Sequence, residues 1–282
     1  MAIVIDPISP VAFSVFGLPI RWYALAYITA FIVGYYIFKY LSKRDDSQIY
    51  LSKRQLDDLL SLFILGVILG GRLGYVIFYN FHYFLYHPLH IFFVWEGGMS
   101  FHGGLLGAIA FVFLFARSQK FANKSVTRNS LQILDIISVI APIGLGLGRI
   151  ANFINMEVMG RETTSSWGVY FNDGENNLVC HSPEHACYPS PLYEAFFEGL
   201  VLFIIMWLLY NKTNLKKHPG ALGSLLLVFY AIFRIFCEQF RQPDEQIGFL
   251  TSWGLTMGQM LSGLMLVTGL TIFVCILRKK KV

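Results

Sequence analysis

The sequence predicts an all-α, polytopic membrane protein with seven transmembrane helices, and three observations carry that prediction. Of its 282 residues, 55% are hydrophobic and only 14% charged, a balance that water-soluble domains do not reach; the mean hydropathy is +0.56. The apolar residues gather into seven runs, each near the ~20 residues that a bilayer core requires. The Lys and Arg residues fall between those runs in short clusters. A net charge of +5 would suit nucleic acid if it formed one patch. Divided among loops it is a topology signal instead, and no nucleic-acid partner is expected.

Met1–Ile20 lacks a basic leader and carries Asp6, Pro7, Pro10 and Pro19. It reads as an interfacial segment ahead of the first span, not as a cleavable signal peptide. The predicted spans are Ile20–Tyr40, Leu59–Asn80, Gly98–Arg117, Leu131–Phe153, Tyr193–Tyr210, Ala221–Phe240 and Met257–Leu277. Alternate loops must lie on opposite sides. One set, Lys39–Arg54, Arg117–Arg128, Lys212–Lys217 and Arg278–Lys281, holds sixteen Lys/Arg, whereas the other holds only Arg21, Arg161 and Arg241. The asymmetry predicts the N-terminus outside and the C-terminus inside. With no internal repeat, the chain 1–282 is expected to be a single integral membrane domain, with 155–191 forming a small external cap between spans four and five.

This topology fixes depth. Arg72, His102, Arg149, Asn152, Arg234 and Tyr23 all fall in the outer half of the bilayer, on five different spans. Core polar residues without a common role would scatter in depth, so the convergence predicts one site open to the outer leaflet. An arginine at membrane depth costs at least ~2.5–3.5 kcal/mol and needs a partner. For Arg149 that partner is either a carboxylate, Glu157 or Glu238, or an anionic ligand. Arg234 has Glu238 at i+4 and Tyr230 at i−4, a stripe of phenol, guanidinium and carboxylate on one helix face. Two guanidiniums from different helices can grip a phosphate through several N–H donors. His102, flanked by Gly103 and Gly104, is either a satisfied polar residue near a span end or a general base.

Other motifs carry less. Glycines 144, 146 and 148 lack the spacing and the preceding strand of a dinucleotide fingerprint, so close helix packing is expected. Gly70, Gly71 and Gly74 read the same way, with Arg72 as an anchor or an ion-pair member. Cys180, His181, His185 and Cys187 are too crowded for ordinary zinc spacing. A disulfide between the two cysteines is favoured over a metal site, and the aromatic richness calls for no cofactor. Cys237, between Phe236 and Phe240, reads as a packed, inert thiol.

Five blocks together resemble a known family: R-W-Y-A-L-A-Y at 21–27, G-G-R-L-G-Y-V-I-F-Y-N at 70–80, W-E-G-G-M-S-F-H-G-G at 95–104, G-R-I-A-N-F-I-N-M-E-V-M-G-R at 148–161, and Y-A-I-F-R-I-F-C-E-Q-F-R-Q-P-D at 230–244. On these the chain is similar to bacterial prolipoprotein diacylglyceryl transferases. The resemblance implies transfer of the diacylglyceryl group of phosphatidylglycerol to the lipobox cysteine of a prolipoprotein signal peptide, in the bacterial inner membrane. A thioether forms and glycerol 1-phosphate leaves. For that reaction His102, Arg149 and Arg234 are expected to be catalytic, with Tyr23, Asn152, Glu157, Gly160, Tyr230 and Glu238 around the lipid headgroup. Pro191 stands where the family commonly has Gln, and Glu96 where some members have Asp. A phospholipid transporter and an intramembrane protease are the rival classes, although no Ser/His or Asp/Asp pair stands out within the spans.

Overall fold

The computed structural model describes residues 2–93, 97–119, 121, 125–172, 180–243, 248–251 and 254–278. Glu96, Lys120, Lys124, Asp244 and the basic residues 279–281 lie outside them. The protein is mostly helical. Its long helices are α1 (Trp22–Ser42), α2 (Lys53–Phe78), α4 (Phe101–Ser118), α5 (Val126–Ile154), α8 (Ala221–Cys237) and α9 (Met257–Arg278). A further continuous helix consists of α6 (Ser190–Glu194), a π-wound stretch (Ala195–Val201) and α7 (Leu202–Lys212), and short α3 (Phe81–Tyr86) follows α2. Among the described residues, five helices are long and apolar enough to cross a membrane: Trp22–Ser42, Lys53–Phe78, Val126–Ile154, Ser190–Lys212 and Met257–Arg278. His102–Ser118 and Ala221–Cys237 are shorter apolar helices.

Among the described residues, four short strands accompany the helices: β1 (Ile3–Ile5), β2 (Val11–Val15), β3 (Leu18–Arg21) and β4 (Val169–Phe171). The segment before α1, expected only to lie at an interface, therefore has structure of its own. β2 and β3 pair antiparallel across Phe16 and Gly17, both at positive φ (50° and 81°), as a two-residue turn matched to strand twist requires.

The chain forms two compact units, Met1–Gly34 with Ile137–Val282, and Tyr35–Ile136. In the second unit α2 and α4 pack through glycines at backbone contact. A Cβ on Gly107 would come 2.1 Å from the Gly66 carbonyl oxygen, and one on Gly70 2.3 Å from that of Gly103. No side chain fits there, so the close packing expected of Gly70 and Gly74 is what the helices adopt. Ser52 and Gln55 form a capping box at the start of α2, and Ser100 caps α4, accepting from Gly103 N at 3.2 Å.

In the first unit, residues 155–172 and 180–191 fold over a small core of Met159, Val169, Phe171, Cys180 and Cys187, joined by Ile5, Phe153 and Met156. β1 pairs in parallel with β4. Cys180 and Cys187 form the expected disulfide, closing a loop short enough to contribute about 2–3 kcal/mol.

Candidate active site

The first unit holds a cluster of ionisable side chains between its helices. Gly199, in the π-wound stretch, meets Gly146 of α5 so closely that a Cβ on Gly199 would lie 2.6 Å from the Gly146 Cα. One helical turn beyond Gly146, Arg149 therefore reaches across the same interface. Its Nε lies 2.7 Å from Glu194 Oε2 and its Nη2 3.7 Å from Glu198 Oε2. From α8, Arg234 Nη1 approaches Glu194 Oε1 at 3.0 Å and Glu198 Oε1 at 3.7 Å. Its Nη2 pairs with Glu238 Oε2 at 2.9 Å. Arg241 Nη1 adds a third guanidinium, 3.4 Å from Glu194 Oε1.

The structure thus brings Arg149 and Arg234 together, but around carboxylates that sequence reasoning missed. Neither Glu157 nor Glu238 is the partner of Arg149: Glu194 and Glu198 are. The i+4 pair of Arg234 with Glu238 forms as its spacing predicts. The signal for the missed pair was present. Two carboxylates at i, i+4 opening an apolar span call for the scrutiny that intramembrane arginines receive. Three guanidiniums face three carboxylates, so the cluster is formally neutral when all are ionised. Glu194 and Glu198 are buried (side chains 1% and 0% exposed), whereas Arg149 keeps 21% of its side chain accessible. The cations therefore have an approach that the two carboxylates lack.

A second group of candidates gathers at the end of α5. Tyr23 OH donates to Glu157 Oε2 at 2.8 Å. Asn152 Nδ2 donates to the Tyr23 oxygen and to Glu157 Oε2 at 3.3 Å. Asn155 Nδ2 reaches Glu157 Oε1 at 3.4 Å. Glu157 is turned back onto the helix because its neighbours Met156 and Val158 both adopt positive φ (57° and 58°). For a β-branched valine this is a strained conformation of the kind that clusters at functional sites. Gly160 follows in backbone contact with two other segments; a Cβ there would sit 2.4 Å from Phe240 O and 2.5 Å from Tyr188 O. Tyr230 is half-buried, one turn before Arg234 on α8.

Glu238 is seated against α9. Thr256 Oγ1 donates to its Oε1 at 3.1 Å, and Gly258 leaves the space that its carboxylate fills, since a Cβ there would fall 2.6 Å from Oε1. Pro191 occupies the first turn of α6, where a missing N–H is no loss.

In the second unit, exposed His102 is the second residue of α4. Arg72 is a buried anchor. It donates to Ile91 O at 3.0 Å, to Gly98 O at 3.3 Å, and to the carbonyls of Gly97 and His90. Cys180 and Cys187 are consumed by their disulfide, and His185 Nδ1 lies 3.0 Å from Glu162 Oε1. Among the described residues, no three His, Cys, Asp or Glu come together as metal ligands.

Residues 10–275 match the family model described as prolipoprotein diacylglyceryl transferase. A phosphatidylglycerol–prolipoprotein diacylglyceryl transferase of Rhodospirillum rubrum is 46% identical over 274 residues, 97% of this chain and 94% of the relative. One from Pseudoalteromonas atlantica is 45% identical, covering 97% of this chain and 91% of the relative. One from Desulfotalea psychrophila is 42% identical, covering 98% and 96%.

Proposed function

Because this chain belongs to the prolipoprotein diacylglyceryl transferase family, we propose that its buried arginine pair clasps the phosphate of the lipid donor. The protein is a transferase that moves the diacylglyceryl group of phosphatidylglycerol onto prolipoprotein. One observation carries the phosphate role: Arg149 and Arg234, from different helices, converge on a single anion, the Glu194 carboxylate, at 2.7 and 3.0 Å. Two cations that share one carboxylate have the spacing to share one phosphate, the other anion whose paired oxygens match the guanidinium fork.

The acceptor is the thiol of the lipobox cysteine. Its sulfur attacks the glyceryl carbon that bears the phosphate ester, the C–O bond breaks, and glycerol 1-phosphate leaves with the bonding electrons. Arg149 and Arg234 stabilise the charge gathering on that leaving phosphate. His102 accepts the thiol proton or orients its acceptor. Tyr23, Asn152, Glu157, Gly160, Tyr230 and Glu238 shape the headgroup pocket and hold the arginines. The whole chain acts as one integral domain of the bacterial inner membrane, with seven spans, N-terminus out, C-terminus in, and an external cap at 155–191. The division of basic residues between alternate loops supports this orientation.

The test combines purified protein, phosphatidylglycerol and a lipobox peptide. A peptide gaining one diacylglyceryl thioether is the expected product. Lipid redistribution without product would mark a transporter, and a shortened peptide a protease. His102→Gln is expected to lower the rate and alter its pH dependence. An unchanged profile would remove the imidazole from the proton path.

A further inference from the structure

We propose that Glu198 is a positioning residue that stands in for the lipid phosphate, keeping Arg149 and Arg234 apart at phosphate spacing and yielding them when the lipid enters. This rests on the clasp described above and adds a carboxylate that the clasp alone does not require.

Glu198 is fully buried, and among the described residues neither of its oxygens accepts a hydrogen bond. Each oxygen instead faces a different cation of the pair: Oε2 lies 3.7 Å from Arg149 Nη2 and Oε1 3.7 Å from Arg234 Nη1. A buried carboxylate is expensive unless it is both paired and hydrogen-bonded, and native interiors satisfy nearly all such groups. Glu194, four residues earlier, is more closely paired, although its Oε2 likewise accepts no hydrogen bond among the described residues. Three guanidiniums hold it at 2.7, 3.0 and 3.4 Å. Glu194 is the fixed post; Glu198 is the loosely held anion, and losing it costs the cluster least.

Local backbone explains how it comes to be there. The helix is π-wound from Ala195 to Val201, a winding that recurs at functional sites. Gly199, the next residue, presses its backbone against Gly146. Glu198 is thereby pinned at the interface that also delivers Arg149. An anion bridging both guanidiniums, with no hydrogen bond of its own, makes the kind of bridge proposed for the phosphate.

The experiment measures KM for phosphatidylglycerol and kcat separately, with glycerol 1-phosphate as a competitor, on full-length wild-type protein and on Glu198→Gln and Glu198→Asp. Removing the stand-in frees the pair more of the time, so KM and the inhibition constant should both fall, about five- to tenfold for Glu198→Gln. kcat should fall as well, because the guanidiniums are less well held. Glu198→Asp keeps the charge but withdraws it by one methylene, and should lower KM about twofold. It also decides the matter should Glu198→Gln not fold. A role in stability alone would lower kcat or yield while leaving KM unchanged or raised in either variant, and that result overturns the proposal. Arg149→Gln in the same assay separates the two ideas. If it leaves glycerol 1-phosphate inhibition untouched, the phosphate clasp itself is wrong, whatever Glu198 does.

Discussion

Arg72 and the pair Arg149/Arg234 are three arginines inside apolar helices, and the protein treats them in opposite ways. Arg72 donates to backbone carbonyls of four residues, His90, Ile91, Gly97 and Gly98, and has the Phe84 ring 5.2 Å from its guanidinium carbon. Neutral main-chain acceptors occupy its fork and tie residues 90, 91, 97 and 98 to α2. Arg149 and Arg234 face carboxylates, one of which accepts no hydrogen bond at all. The first arrangement is complete and has no reason to change. The second is balanced in charge but incomplete in hydrogen bonding, so an incoming anion has something to replace. An intramembrane arginine is informative less for being charged than for what its partners leave unsatisfied.

The largest expected effect tests that contrast with one substitution at two places. Arg149→Lys keeps the charge but loses the fork, and should cut kcat/KM about 10²-fold or more while the protein still inserts. Thioether formation on a lipobox peptide measures it. Arg72→Lys also loses the fork but leaves backbone carbonyls unpaired, which should cost about 1–3 kcal/mol each and lower the thermal midpoint. Activity per folded molecule should stay within about threefold of wild type, since this residue is outside the clasp. A folded, inactive Arg72→Lys, or a fully active Arg149→Lys, would dissolve the distinction.

The two glycine contacts sharpen it. Gly107→Ala forces a Cβ to within 2.1 Å of the Gly66 oxygen, and Gly199→Ala forces one to 2.6 Å from the Gly146 Cα. Both overpack and should destabilise by about 1–3 kcal/mol. Only the second opens the interface that brings Arg149 to Glu194. Gly199→Ala should therefore lose about tenfold in kcat/KM beyond what its folded fraction explains, as a misplacement of ~1 Å in a positioning element does. Gly107→Ala should show the stability loss alone. Activity normalised to folded protein, read by size-exclusion recovery and thermal melts, separates the two.

Much of this was legible in the residues. The long helices follow from apolar runs of bilayer length, and their ends fall within six residues of the predicted ones. Arg149 and Arg234 stood out because charge inside an apolar run demands a partner. Glu194 and Glu198 obey the same rule but sit at the opening of their span, where a carboxylate reads as part of a helix start. The π-winding leaves no trace in sequence, since residues that favour it also favour an α-helix. The fate of Arg72 was hidden for a different reason: its acceptors are main-chain carbonyls, which every residue supplies. The strands at 3–21 are three to five residues long and interspersed with prolines, too short for alternation to register.

The smallest expected effect concerns the outer partner of the clasp. Glu238 balances Arg234 at Nη2, not at the Nη1 that meets Glu194 and Glu198, and is itself held by Thr256 and by the gap at Gly258. Gly258→Ala would place a methyl 2.6 Å from Glu238 Oε1. Because the obstructed atom is the end of a side chain, the carboxylate can swing aside at little cost to folding. It then draws less on Arg234, whose remaining partners, Glu194 and Glu198, stay in place. KM for phosphatidylglycerol should change by only about two- to threefold, with kcat and the thermal midpoint near wild type, because a charge-assisted contact weakened rather than removed shifts the balance by well under its full ~1.5–3 kcal/mol. A loss of the size expected for Arg149→Lys would mean that Glu238, not the Glu194–Glu198 pair, governs the reach of Arg234. The working anion site would then lie on the α9 side of α8.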